Sequence, residues 1–187
     1  MFTVIIPTFN NINYLKLCIK SLKKNSNYNH ELIFHVNEGI DGSLEYLKEN
    51  NYKYSYSATN AGVCVAFNEA VKLAQNKYIV LGHDDMYFCP GWDEVLQKEI
   101  KKYHEGEDFF LSGTMVQPFS SYIELNCGKD YLDFNEEKLL KEVNKIDFYD
   151  FQGTHWQPSL VPKKTWDKVG GFSEEFSPGL GSDPDFN

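Results

Sequence analysis

Lys77-Tyr78-Ile79-Val80-Leu81-Gly82-His83-Asp84-Asp85 decides the fold class of this chain. The run 78–81 is short, continuous and apolar, as a strand buried on both faces of a parallel sheet should be. It stops at a glycine and passes straight into two adjacent carboxylates. Ligands of open α/β sheets bind outside the carboxyl ends of the strands. One stretch therefore names the sheet type and the place to look for a site.

Upstream, short apolar runs alternate with helical periodicity, the layout of a sheet with crossover helices. Residues 2–6 read as the first strand. Ile12, Leu15, Ile19 and Leu22 recur at helical spacing, with Lys16, Lys20, Lys23 and Lys24 on the wet side. A second strand is predicted at 31–36, a short helix carrying Leu44 and Leu47 after Asp41, a weaker strand at 52–57, and a helix at 62–75. Downstream, Pro90 suits the first turn of a helix whose Trp92, Leu96 and Ile100 face inward. Residues 110–114 end the regular part of the pattern. Beyond them the pattern loosens into an acidic, aromatic segment with one helix near 136–143, read as irregular cover over the sheet rather than a second domain.

The chain has 187 residues and a net charge of −9, and all 18 basic residues are Lys. That length favours one domain. The acidity argues against nucleic-acid partners, which need a basic face. No apolar run is long enough for a transmembrane segment, and the first residues do not read as a signal peptide. Cys18, Cys64, Cys89 and Cys127 are scattered without a C-x-x-C pair, which fits free thiols and a cytoplasmic location. Without Arg there is no bidentate fork for phosphate, so a phosphorylated ligand calls for another source of positive charge, such as a metal.

Three strand ends carry polar groups: Pro7-Thr8-Phe9-Asn10, Asn37-Glu38-Gly39-Ile40-Asp41-Gly42-Ser43, and His83-Asp84-Asp85-Met86. Adjacent carboxylates after a buried strand repel each other unless a cation or donors compensate, and Mg²⁺ or Mn²⁺ take such oxygens. The alternative is a solvated turn in which an Asp caps the Pro90 helix; Asp41 and Ser43 could likewise be caps. A last cluster, Gly170-Gly171-Phe172-Ser173-Glu174-Glu175-Phe176 followed by Ser182-Asp183-Pro184-Asp185, is either a turn presenting carboxylates or an acidic surface loop.

Taken in order, these segments resemble family 2 glycosyltransferases of the GT-A fold. Val4-Ile5-Ile6-Pro7-Thr8-Phe9-Asn10 is similar to the family's opening strand and nucleotide loop, and Val36–Ser43 falls where members carry an acidic pair before Gly-Ser-x-Asp. Asn60-Ala61-Gly62 with Ala66, Asn68 and Ala70 resembles the N-x-G-x-x-x-A-x-N-x-A helix. His83-Asp84-Asp85 falls on the D-x-D motif, Val169–Phe176 on V-G-G-F-x-E-x-F, and Ser182-Asp183-Pro184-Asp185 on E-D-x-D. The departures are His83 for the first Asp of D-x-D and Ser182 for the Glu of E-D.

The resemblance implies a GT-A, Rossmann-like α/β fold: a mostly parallel central sheet flanked by helices, with an irregular acceptor-side C-terminal part. It implies one domain over 1–187. Residues 1–115 would bind the nucleotide sugar and 116–187 would supply acceptor contacts and the base, in a chain expected to continue past Asn187. The implied reaction moves a sugar from a nucleotide-diphosphate donor, a UDP-sugar by preference, to a hydroxyl on a glycan or glycoconjugate. It is a metal-assisted inverting displacement. The implied roles follow the motifs. Pro7, Thr8, Phe9, Asn10, Glu38, Asn60, Gly62 and Asp84 bind the donor. Asp85 and His83 hold Mn²⁺ or Mg²⁺, and Asp183 is the base. His155, Trp156 and Asp185 lie on the acceptor side. A catalytically silent GT-A-like module that binds nucleotide sugar or glycan is the competing reading. A nucleotidyltransferase is disfavoured because no Gly-rich loop with a phosphate-binding Lys follows the first strand.

Overall fold

A computed structural model of the chain describes residues 1–103, 106–119, 123–147 and 157–176. The elements are β1 (Thr3–Phe9), α1 (Ile12–Asn25), β2 (Glu31–Asn37), α2 (Ser43–Glu49), β3 (Lys53–Ser57), α3 (Gly62–Val71), β4 (Tyr78–Leu81), α4 (Trp92–Ile100), β5 (Leu111–Ser112), β6 (Val116–Gln117), β7 (Ile123–Glu124), α5 (Glu136–Val143), β8 (Ser159–Pro162) and α6 (Lys163–Val169), followed by a 3₁₀ turn at Glu174–Phe176. Six strands form the main sheet in the order β3-β2-β1-β4-β8-β5. The pairs β3–β2, β2–β1 and β1–β4 are parallel, whereas β8 runs antiparallel to both β4 and β5. This is the mostly parallel, helix-flanked sheet expected from the sequence.

The two faces of the sheet follow the strand period of two. Phe2, Val4, Ile6, Phe34, Val36 and Val80 point to one side and pack with Leu15, Cys18, Ile19 and Leu22 of α1 and Leu47 of α2. Ile5, Ile33, Ile79 and Leu81 point to the other and pack with Cys64, Phe67, Ala70 and Val71 of α3 and Trp166 of α6. Burying each such Ile, Leu or Phe contributes about 1.5–3 kcal/mol, so the period itself fixes the register. Trp92, Leu96 and Ile100 of α4 join the first face as half-buried side chains.

The helix expected over 62–75 ends at Val71: Leu73 N–H bonds to Ala70 O and Ala74 N–H to Val71 O, a tightened last turn. β5, where the regular pattern ends, is only two residues long. The segment read as irregular cover also contributes β8, which inserts between β4 and β5 and is buried along its whole length.

The register opens a crevice. β1 pairs with β2 as far as Phe9↔Asn37, but with β4 only as far as Ile5↔Leu81. One further bond, Gly82 N–H to Ile5 O at 2.9 Å, closes the β1–β4 ladder. Pro7 follows, with no N–H to offer. Strand order also reverses direction between β1 and β4, which is where doubly wound sheets bind ligands.

Candidate functional site

Beyond the last β1–β4 bond, the two strand ends are joined by side chains. Asn11 Nδ2 donates to Asp84 Oδ1 at 3.1 Å. Burial pushes the Asp84 carboxyl above its ordinary value; the nearby Thr8 hydroxyl and the hydrogen bond from Asn11 oppose the shift, and the neighbouring Asp85 charge adds to it. Thr8 Oγ1 is buried and lies close enough to favour the Asp84 carboxylate, yet it makes no hydrogen bond of good geometry. Asp85 is exposed, as is Phe9 at 46%. The His83 ring packs edge-on against Phe67 at 5.7 Å, and the His83 carbonyl accepts from Cys18 Sγ at 3.5 Å.

The ends of β2 and β3 continue the rim. Asn10 and Glu38 both adopt left-handed backbone, with φ of 47° and 62°. Asn tolerates this region, whereas for Glu it costs about 1 kcal/mol. The cost is offset by cross-links: Asn10 Nδ2 donates to Glu38 Oε2 at 3.1 Å, Ile40 N–H to Asn10 Oδ1 at 3.0 Å, and Glu38 N–H to Ser57 O at 2.9 Å. Asn37 Oδ1 receives Ala61 N–H at 2.9 Å, and Asn60 Oδ1 receives Gly62 N–H at 3.0 Å, so the entry of α3 is tied to the same rim. Pro7, Thr8, Phe9, Asn10, Glu38, Asn60, Gly62, His83, Asp84 and Asp85 thus share the carboxyl edge of the sheet. His155, Trp156, Asp183 and Asp185 lie outside the described residues.

The alternative reading of Asp84 or Asp85 as a helix cap does not hold, because the cap of α4 is Gly91, with no side-chain bond. Asp41 does act as a cap. Its Oδ2 accepts Ile12 N–H at 2.7 Å in the first turn of α1, and its Oδ1 accepts Ser43 N–H and the Ser43 hydroxyl. Burial alone would raise Asp41, but these bonds outweigh it and hold the carboxyl below its usual range. Sequence reasoning missed Asn11 and Asn37. The signal for Asn11 was present in Asn10-Asn11, two amides directly after a buried strand.

The donor set suits a divalent cation in part. Among the described residues no Lys ion pair reaches Asp84 or Asp85, and the chain has no Arg. Two neighbouring carboxylates with no Lys paired to them among the described residues fit a hard cation. No group of three or more His, Cys, Asp or Glu among the described residues could enclose a metal by itself.

The family described as glycosyl transferase family 2 matches residues 3–114. The chain belongs to glycosyl transferase family 2. The match contains β1 to β4 and every described rim residue, while Gly170-Gly171-Phe172 falls outside it. This family 2 chain is 26% identical over 160 residues to the chondroitin synthase of Pasteurella multocida, covering 83% of itself but 16% of that protein. Its fold is similar to a crystal structure of S. aureus TarS, with a TM-score of 0.71 at 18% identity, covering 99% of this chain and 53% of that one. TarS has also been solved with UDP and with UDP-GlcNAc. The mannosyltransferase PcManGT of Pyrobaculum calidifontis, solved with GDP-Man and Mn²⁺, is similar at a TM-score of 0.63 and 15% identity, covering 97% of this chain and 49% of that one. The family 2 chain therefore spans about half the length of these structural neighbours. No helix among its described residues is long and apolar enough to cross a membrane.

Proposed function

We propose that this chain carries the donor-binding core and the base of a glycosyltransferase that moves a sugar from a nucleoside-diphosphate donor to an acceptor hydroxyl. A UDP-sugar is the favoured donor, and a glycan or glycoconjugate the favoured acceptor. The observation that carries the reading is the half-buried Asp84 beside exposed Asp85 at the crevice between β1 and β4, with no Lys among the described residues paired to either. Membership of family 2 supports it, as do the nucleotide-bound TarS and PcManGT structures.

Residues 1–115 form the donor half. Pro7, Thr8, Phe9 and Asn10 line the base pocket, and Glu38 accepts from the base. Asn60 and Gly62 shape the entry of α3 beside it. Asp84, steadied by Asn11, accepts from the ribose or sugar hydroxyls. Asp85, with His83, would hold Mn²⁺ or Mg²⁺, whose charge would stabilise the departing diphosphate. Residues 116–187 are assigned the acceptor half, with His155, Trp156 and Asp185 as acceptor contacts. Asp183 takes the hydroxyl proton as the acceptor oxygen bonds to the anomeric carbon. The carbon–phosphate-oxygen bond breaks with its electron pair on the diphosphate, inverting the centre in a single displacement. The free thiols of Cys18, Cys64, Cys89 and Cys127 suit a cytoplasmic enzyme.

The test is release of nucleoside diphosphate from UDP-, GDP- and dTDP-sugars, with Mn²⁺ or Mg²⁺ and hydroxyl acceptors. Asp85→Ala should abolish release without loss of stability, because Asp85 is exposed. Metal-dependent nucleotide binding without release across the panel would favour the catalytically silent binding module.

A further inference from the structure

Asn68 makes hydrogen bonds with both ends of its amide to one distant turn. Phe172 N–H donates to Asn68 Oδ1 at 3.0 Å, and Asn68 Nδ2 donates to Phe172 O at 2.9 Å and to Glu174 Oε1 at 3.0 Å. Only a side chain with a donor and an acceptor in one plane can satisfy both main-chain groups of Phe172; Asp lacks the donor and Leu lacks both. The turn is built to receive it. Gly171 has φ of 81°, and a Cβ there would collide with Asn68 Oδ1. Asn68 on α3 and Gly171-Phe172 after α6 are thus complementary parts of one unit, although they lie far apart in sequence.

That unit touches the strand end that carries the carboxylates. Phe172 is buried and packs edge-on against Phe67 at 5.5 Å and against Trp166 at 5.0 Å. Phe67 in turn packs edge-on against the His83 ring at 5.7 Å. His83 is gripped from the other side of the sheet by the Cys18 thiol on its carbonyl. Interiors this closely packed transmit displacement rather than absorb it.

We propose that Asn68 is a positioning residue: by locking Phe172 onto α3 it seats Phe67 against His83 and holds Asp84 and Asp85 in place. The proposal rests on the reading of those carboxylates as donor and cation contacts. Asn68 itself touches neither.

Hydrogen exchange and UDP binding in Mn²⁺ test this on the whole chain, with Asn68→Ala, Asn68→Asp and Asn68→Asp/Glu174→Gln. In Asn68→Ala, exchange should quicken at the Phe172 amide and also at the Gly82 and Met86 amides, which bond to Ile5 O and His83 O. UDP affinity should fall about tenfold. Asn68→Asp keeps the acceptor for Phe172 N–H but sets a carboxylate against Glu174, so it should be impaired similarly. Adding Glu174→Gln supplies a donor in return and should restore part of the affinity. A merely structural tie would change exchange only at 172–174, leave Gly82 and Met86 as in wild type, and leave UDP affinity intact; that result overturns the proposal. Wild-type chain that binds UDP in Mn²⁺ but transfers no sugar would count against the glycosyltransferase reading alone, while the exchange pattern still decides the role of Asn68.

Discussion

Asn11 Nδ2 donates to Asp84 Oδ1 at 3.1 Å, while the first N–H of α1, that of Ile12, is taken by Asp41 Oδ2 at 2.7 Å. Asn11 occupies the N-cap position, where an amide ordinarily accepts a first-turn N–H. Here its side chain makes no cap bond, and the Ile12 N–H, one residue earlier than a cap would reach, goes to Asp41 Oδ2. The two residues therefore separate by assay. Asp41→Ala should cost about 1–2 kcal/mol in urea unfolding, the cost of a lost cap. Asn11→Ala removes a donor from a half-buried carboxylate and should weaken metal-dependent nucleotide binding about tenfold, an effect on the order of 1–3 kcal/mol. Equal losses of stability in both variants would contradict this division of labour.

The sheet was legible because its signal is local. Apolar runs at β1, β2 and β4 and the helical period of α1 give element type and buried face directly, and the rim follows from the strand ends. β8 escaped because Ser159-Leu160-Val161-Pro162, four residues between a loose segment and a lysine pair, carries no period. Its place beside β4 is a tertiary choice. Asn68 was visible as a motif residue but not as the partner of Gly171, since nothing in a sequence links an amide to a turn a hundred residues away. Asp93, in the first turn of α4, is completely buried, which nothing in its local sequence marks.

Glu38 holds a left-handed backbone that suits Asn better than Glu. Such strain is consistent with a position kept for its side chain rather than for stability. Glu38→Asn should leave thermal stability unchanged or slightly raised. It should also weaken nucleotide binding by about ten- to a hundredfold, as expected for loss of a hydrogen bond to a charged group. Calorimetric unfolding and titration with UDP in Mn²⁺ read both sides. A destabilised variant with normal binding would assign Glu38 to the fold instead.

Asp93 anchors the opposite, amino edge of the sheet. It accepts from Asn27 N–H at 2.8 Å, Tyr28 N–H at 2.9 Å, His30 Nε2 at 2.9 Å and Glu94 N–H at 3.0 Å. Because His30 Nδ1 accepts Phe2 N–H at 3.1 Å, the ring proton must sit on Nε2 and point at Asp93. Asp93→Ala removes the acceptor of all these donors, the buried His30 ring among them, and should cost about 3 kcal/mol or more. Nucleotide binding by the folded fraction should be unaltered, since these contacts lie across the sheet from the rim. Urea unfolding monitored by circular dichroism, with UDP titration below the transition, checks both.

Acid should unfold the protein in two stages. Burial holds His30 and His35 below the ordinary histidine value of 6.5, against the opposing pull of Asp93 on His30 and of Asn37 on His35. Between their folded values and 6.5 the unfolded chain binds more protons than the native one, so stability rises with pH across that window. It is fully present above 6.5 and erodes as pH falls below it. The carboxylates act lower down. Burial would raise Asp93, Asp41 and Glu31, but hydrogen bonds from His30 to Asp93, from Ser43 to Asp41 and from Thr3 to Glu31 outweigh it and keep all three below their ordinary values. Their contribution is present above the ordinary values of 3.8 and 4.5 and is lost as pH falls through the folded ones. Melting temperature should therefore be flat above about pH 7, decline from about pH 6.5, and drop further below about pH 4. A curve that stays flat to about pH 5 would mean that His30 and His35 titrate normally in the folded protein. That would contradict the burial of their rings against Phe2, Trp92 and β3.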